Sequence, residues 1–468
     1  MNTHFHTIVI GAGSGGLTVA IGLAALGKPV LLVEAKHVGG DCTNVGCIPS
    51  KALIHLAKHF QSGMDAQTVL REVTRKRDAL REKETAEIRH IKNLTFVAGT
   101  ARFTNAKTLA VRYGESEQTY TADHIVIATG SRPRLLNIPG LPAEKTLTNE
   151  SLFDLTDLPQ HLVIAGAGVI ALEMAFAFRK LGSQVTIFAL DERPLATAIP
   201  EASEVLMAEL ARAGVVAYFG TTAEQFVAST QSLMLAKGAE RIEIAGVSQV
   251  LLAIGRVRNL EALDLERAGL LVDPKRGIVV NSAGETPVAG VFAIGDVTPT
   301  SAYTHSANAQ GRRTTQRIAF PFLPVGKREP LYPSAVFSDP EVATVGLTQS
   351  EIGKNFHPQV LTHIRIDLKT LTDRGYTDDV ENGFIYVTAV RLSGRILHAT
   401  IVGRSAAEMI SFFTLAIAQN ISLYKIYRLV YPYPTFSSGI LKVADTFMRQ
   451  TLPNLRSELV AYLRYRWR

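Results

Sequence analysis

The feature that most restricts this 468-residue chain is a strand–glycine turn–helix unit that occurs twice. The first copy runs Thr7-Ile-Val-Ile-Gly11-Ala-Gly13-Ser-Gly-Gly16. A helical pattern follows to about Leu26, Gly27 stops it, and a second strand, Val30 to Val33, ends at Glu34. Gly11 suits the tight turn, Gly13 lets the backbone approach a pyrophosphate, and Gly16 lets helix and strand pack closely. Free N–H groups and the dipole at the helix start would face that pyrophosphate. Glu34, 21 residues after Gly13, is placed to accept hydrogen bonds from a ribose. The second copy, Leu162-Val-Ile-Ala-Gly166-Ala-Gly168-Val-Ile-Ala171, again follows a strand and opens a helix, with Val185 to Phe188 as the next strand.

Two such units imply an α/β chain with two dinucleotide sites, for two cofactors or for a cofactor and a substrate nucleotide. In the second unit Ala189 stands where the first has Glu34. No carboxylate meets a 2′-hydroxyl there, which leaves room for a 2′-phosphate near Arg193. That favours NADPH over NADH, with Asp191 and Glu192 weighing against it.

Residues 39–51, Gly-Gly-Asp-Cys-Thr-Asn-Val-Gly-Cys-Ile-Pro-Ser-Lys, contain the only two cysteines, Cys42 and Cys47. A structural bridge over so short a loop would gain little chain entropy. An ideal helix would hold the two Cα atoms roughly 8–9 Å apart, beyond the roughly 7 Å limit for a disulfide. Pairing therefore requires a distorted stretch, which Gly39, Gly40 and Gly46 permit. A redox dithiol is the reading that fits, and a reducing cytoplasm suits a dithiol that cycles.

Other segments add little chemistry and some exclusions. The formal charge of +7 is modest, and no nucleic-acid module appears. The longest apolar stretches, such as Ile410 to Ala418, fall short of a membrane span. The start of the chain runs directly into the first strand, so no signal peptide is expected. Gln67 to Lys92 reads as a charged, solvated helix. Short glycine-closed strands occur at His124–Gly130, Val250–Arg256 and Gly290–Asp296, and Asp296 is placed to hold a sugar or ribitol hydroxyl. From about Tyr332 the pattern changes to alternating, half-buried antiparallel strands, Ser334–Gly346, Gly383–Val390 and Arg395–Gly403, followed by an apolar helix, Ala406–Ala418.

Over roughly residues 5–447 the chain resembles the pyridine nucleotide–disulfide oxidoreductases, the family of glutathione reductase, dihydrolipoamide dehydrogenase and mercuric reductase. The likeness rests on both glycine fingerprints, Gly-Gly-x-Cys-x-x-x-Gly-Cys-x-Pro-Ser-Lys, Ala-Thr129-Gly130, Ile294-Gly295-Asp296 and the C-terminal region. It implies two Rossmann-like domains, for FAD and NAD(P)H, and a C-terminal α+β dimerisation domain. Residues 1–150 and 276–330 would form the two parts of the FAD and central domains, 151–275 the NAD(P)H domain and 331–450 the homodimer interface. The resemblance further implies Cys47 as the flavin-side thiolate and Cys42 as the interchange thiol. It pairs Lys51 with Glu173 near the flavin and sets the Thr304 backbone against the flavin pyrimidine. Ala101 and Gly255 complete the candidate cofactor contacts, while His305 is read as a helix-start residue without a catalytic part.

One departure bears on the acceptor. Thiol-handling members carry His-Pro-Thr and a following Glu, supplied across the dimer as acid–base partner and orienter. Here Tyr433 takes the histidine position and Ser438 the glutamate position. A tyrosine phenol titrates near about 10, so it is a poor base at neutral pH. A metal ion held by two thiolates needs no proton delivered to a leaving thiol, and a soft ion such as Hg²⁺ or copper suits them. The expected function is electron transfer from NAD(P)H through flavin and Cys42–Cys47 to a small-molecule or metal-ion acceptor. The alternatives are a dihydrolipoamide dehydrogenase-type reductase with an atypical base and a slow redox-sensing or membrane-surface flavoprotein. Tyr427, Tyr431 and Tyr433 packing at a dimer interface is the plain structural alternative. Residues 451–468 form a basic, aromatic tail suited to weak contact with a membrane surface.

Overall fold

In the computed structural model, which describes residues 3–61, 63–299, 302–326 and 331–465, the opening strand His4–Ile10 is buried on both faces. Ile8 and Ile10 point into one apolar cluster and Val9 into another. Cover on both faces is the habit of parallel sheets, and it explains the continuous apolar run in the sequence. The strand pairs in parallel with Val30–Glu34 and Ser116–Ile127. Leu94–Ala98 extends one side, and Val291–Ala293 pairs with Ser116–Ile127 on the other. The sequence reading misses one addition, the antiparallel hairpin Thr100–Asn105 and Thr108–Tyr113, which uses the first half of Ser116–Ile127.

The turn after the first strand is locked by close approach. A Cβ on Gly16 would lie 1.9 Å from the Gly11 carbonyl oxygen, and Gly11, at φ +105°, would place its own within 2.3 Å of Ala128 O. Helix Ser14–Ala25 is thereby fixed to the strand end.

The second unit repeats the plan. His161–Ala165 lies between Gln184–Ala189 and Gln249–Leu252, with Val216–Phe219 and Thr146–Leu147 outermost, all parallel. Thr146–Leu147 already belongs to this sheet, ahead of residue 150. Arg256–Arg258 has left it well before residue 275 and pairs antiparallel with Ser131–Pro133, so the outgoing and returning crossings satisfy each other's backbone.

The C-terminal sheet runs Ser334–Val336, Val342–Gly346, Ile396–Val402, Phe384–Val390, Leu361–Asp367, all antiparallel. Its strands were expected to be half-buried, yet every residue of Ile396–Val402 is buried. The alternation is real, but both faces are covered. Ile385, Val387, Ala399 and Ile401 meet the sheet's own helices, Ala406–Ala418 and Ser438–Thr451. Phe384 and Val402 meet a cluster shared with helices Cys47–Lys58 and Val169–Leu181. Among the described residues, no helix is long and apolar enough to cross a membrane.

Gly16→Ala should cost about 1–3 kcal/mol or more by overpacking, seen as a lower thermal midpoint. An unchanged midpoint would contradict the locked turn.

Candidate active site

The dithiol segment is two helices with a break between its cysteines. Gly40–Asn44 and Cys47–Lys58 are separated by Val45 at φ −142° and Gly46 at φ −134°. This is the distortion that the cysteine spacing demands. The segment lies on the first glycine turn: a Cβ on Gly40 would meet Gly13 Cα at 2.7 Å, and Gly39 N–H donates to Ala12 O at 2.9 Å.

Both cysteines are free thiols here and interact with each other. The Cys42 thiol donates to Cys47, which lowers the Cys47 pKa to about 6. The Thr304 hydroxyl and the Lys51 charge add to that effect, against the cost of burial. The same hydrogen bond, with burial, pushes Cys42 upward. Thr304 opens helix Thr304–Ala319, as expected, and its Oγ1 lies 3.4 Å from Cys47 Sγ. The negative sulfur is therefore Cys47, and the proton stays with Cys42.

Lys51 stands one turn beyond Cys47. Its Nζ lies 2.8 and 3.0 Å from the two Glu173 carboxylate oxygens and 4.6 Å from the Phe337 ring centre. Glu173, only 3% exposed, also accepts from Phe337 N–H at 3.0 Å. A buried carboxylate without its cation would be strongly destabilising, so this pair holds the active-site helix to the helix of the second unit.

A second network was not foreseen. Arg256 pairs with Asp41, the neighbour of Cys42, and donates to Ser131 Oγ at 2.6 Å. Ser131 in turn donates to Asp296 Oδ2 at 2.5 Å. Burial raises the Asp41 pKa and Arg256 opposes that rise. The sequence signal was a carboxylate inside the dithiol motif together with an arginine following Gly255. Nothing in either stretch alone says that they meet.

The glycines divide into two kinds. Gly11, Gly16 and Gly166 are sterically required, the last lying 2.4 Å from Ala253 O once given a Cβ. Gly13 and Gly168 are not: the nearest atom to a Cβ on Gly13 is 3.9 Å away, and Gly168 has none within 4 Å. These are cradles that a methyl group would fill, at the starts of Ser14–Ala25 and Val169–Leu181, as pyrophosphate binding needs. Glu34, at the end of its strand, accepts from Ala12 N–H and Lys36 N–H, each at 2.7 Å, and so faces the first cradle. The residues present fit FAD at the first unit and a nicotinamide dinucleotide at the second.

The remaining candidates sort less evenly. Thr129 and Gly130 are tied to Asn259, with Thr129 Oγ1 donating to its carbonyl at 2.7 Å and its N–H donating to Gly130 O. Gly255, at φ +105°, has open space around it. Ala171 replaces the third glycine with a fully buried methyl. Ala101 buries its methyl in the core of the first sheet. The Arg193 guanidinium donates to Ser203 Oγ and to the carbonyls of Ala196 and Ala198. These acceptors lie within ten residues, where a short loop can satisfy the charge locally.

A cleft of about 590 Å³ borders Cys42 and excludes Cys47. Thr43, Glu84, Thr304 and Arg312 line it beside the helix Ser14–Ala25. Tyr433 is 75% exposed, and Ser438 donates its hydroxyl to Thr435 O at 2.6 Å. Tyr431 is half-buried, with its pKa raised to about 12 by loss of solvent, and Tyr427 is exposed. His305 stacks on Tyr303, and its Nε2 lies 2.8 Å from Pro333 O. Among the described residues, no group of three or more His, Cys, Asp or Glu side chains is assembled to hold a metal ion.

Comparison with known proteins gives concordant results. The pyridine nucleotide-disulphide oxidoreductase profile matches residues 5–311, and the dimerisation-domain profile of the same group matches residues 332–444. Dihydrolipoyl dehydrogenase 3 of Haloarcula marismortui is 30% identical, over 95% of this chain and 97% of its own. Mercuric reductase of Shewanella putrefaciens is 32% identical, over 94% and 81%. Among solved structures, the Cu(II) complex of the HOCl-induced flavoprotein disulfide reductase RclA from Escherichia coli superposes with TM-score 0.86. It is 24% identical, over 95% of this chain and 100% of that one.

In the reduced protein one thiol should react with iodoacetamide with a midpoint near pH 6, because Cys47 becomes nucleophilic as pH rises through its pKa. Lys51→Met should move that midpoint upward and Cys47→Ser remove it. An unmoved midpoint in Lys51→Met would rule out the lysine's contribution. Gly13→Ala should lower FAD content and Gly168→Ala raise the KM for pyridine nucleotide, both with thermal midpoints near the parent's. Loss of folding in either would show a steric role instead.

Proposed function

From the premise that the chain belongs to the pyridine nucleotide-disulphide oxidoreductases, and so is an FAD-dependent enzyme that uses NAD(P)H, we propose that it reduces a thiolate-bound metal ion. The observation that carries this reading is a cleft that opens on Cys42 in a chain whose Tyr433 and Ser438 stand where a base and its orienter belong. Its mercuric reductase relative and the Cu(II) complex of its structural neighbour support that choice of acceptor.

Bound FAD would supply the hydride-accepting centre that a disulfide lacks. The protein's own groups do the rest. Lys51, held by Glu173, and Thr304 stabilise negative sulfur at Cys47. Cys42 keeps the proton and faces the acceptor cleft. Two electrons and one proton turn the Cys42–Cys47 disulfide into a thiol and a thiolate. An Hg²⁺ ion, or two Cu²⁺ ions, then takes both electrons, the sulfur–sulfur bond re-forms, and the Cys42 proton goes to solvent. No protein base has to protonate a leaving thiol. Homodimer formation through the C-terminal domain agrees with its dimerisation profile.

For the electron donor we infer NADH rather than NADPH. Arg193 is engaged within its own loop, while Asp191 and Glu192 are exposed beside the strand end and would repel a 2′-phosphate.

On FAD-loaded protein, NADH oxidation should proceed with Hg²⁺ or Cu²⁺ and fall at least about 100-fold in Cys42→Ser. Reduction by NADH should give a long-wavelength charge-transfer absorbance that Cys47→Ser lacks. Turnover with lipoamide, lost in Tyr433→Phe, would instead make the enzyme a dihydrolipoyl dehydrogenase-type reductase and overturn the metal reading.

A further inference from the structure

The last helix of the described chain, Leu455–Tyr465, follows the break at Pro453 and packs against the turn Pro358–Val360. Its outer side is unusual for a terminal helix. Leu455, Leu459 and Leu463, spaced four residues apart, form one row and are 48%, 45% and 64% exposed. Residues at this spacing share a helix face. The adjoining row is Arg456, Val460 and Arg464, also exposed, with Val460 at 62%. Leu452, 55% exposed, lies just before the break.

We propose that this surface is a docking face for a bilayer carrying anionic headgroups. An apolar row bordered by arginines can bury its leucines at the headgroup–acyl boundary while the guanidinium groups reach lipid phosphates. Charge selects this occupant over a second copy of the chain. Residues 449–468 carry five arginines against the single acid Glu458. A two-fold contact through this face would set Arg456 and Arg464 against their equivalents, whereas an anionic surface neutralises them. The inference does not depend on the identity of the electron acceptor. It would place the flavoprotein at a membrane surface, and among the described residues no helix is long and apolar enough to span one.

The test uses FAD-loaded, full-length protein and sedimentation with phosphatidylcholine vesicles, with and without phosphatidylglycerol. Pelleting should require phosphatidylglycerol, weaken as salt rises to roughly 0.5 M, and fall by at least about tenfold in Leu459→Glu/Leu463→Glu. Arg456→Glu should reduce it in part. Flavin reduction by pyridine nucleotide should be unchanged in these variants, which reports correct folding. Equal pelleting with neutral vesicles, or none with anionic ones, overturns the proposal. So does a shift of the double variant to a smaller species on size exclusion, which would make the leucine row a contact between copies.

Discussion

The structure hinges on one buried ion pair. Lys51 comes from the helix that begins at Cys47, Glu173 from the glycine helix of the second unit, and Phe337 from the C-terminal region. Three parts of the chain therefore meet at a single carboxylate. Glu173 is almost fully buried and accepts from both of the others, so separating Lys51 from it would leave a carboxylate unpaired in an apolar cluster. The same lysine contributes to the low pKa of Cys47. Holding the domains together and tuning the thiolate are one interaction.

That coupling explains why the dithiol sits in two short helices rather than one. A continuous helix through residues 40–58 would fix the cysteines too far apart. The break at Val45 and Gly46 brings Cys42 round to share its proton with Cys47, while the second helix keeps Lys51 on the Glu173 side. Cys42 then lines the cleft and Cys47 faces Thr304. Two thiols of the same type acquire opposite character because their neighbours differ.

Most of what local pattern can encode was legible in the sequence. Both glycine units, the charged helix at Ala66–Arg89, the C-terminal strands and Thr304 as a helix start follow from periodicity, turn residues or the family likeness. What escaped was set by distant contacts. Arg256 and Asp41 are over 200 residues apart, and neither stretch announces a partner. The C-terminal strands alternate correctly, but whether their second face meets water or another domain depends on Phe384 and Val402 finding the helix pair. Arg193 shows the opposite case: it stands beside a strand end in the sequence, and local carbonyls with Ser203 hold its guanidinium.

The glycine motif itself shows how a shared pattern conceals two physical demands. Gly11, Gly16 and Gly166 answer to the backbone around them, where an added Cβ would collide with a carbonyl. Gly13 and Gly168 meet no such collision, and the space beside them is open. At the third position of the second unit Ala171 tolerates a buried methyl, which separates that site from Gly16 despite the common spacing. A carboxylate at Glu34 and none at Ala189 divides the two units further, since the first can grip a ribose through an anchored acid. The second has no carboxylate at that place, and Asp191 and Glu192 stand exposed nearby. The two units share a spacing, yet they differ at the third position of the turn and at the strand end, Gly16 and Glu34 in one against Ala171 and Ala189 in the other.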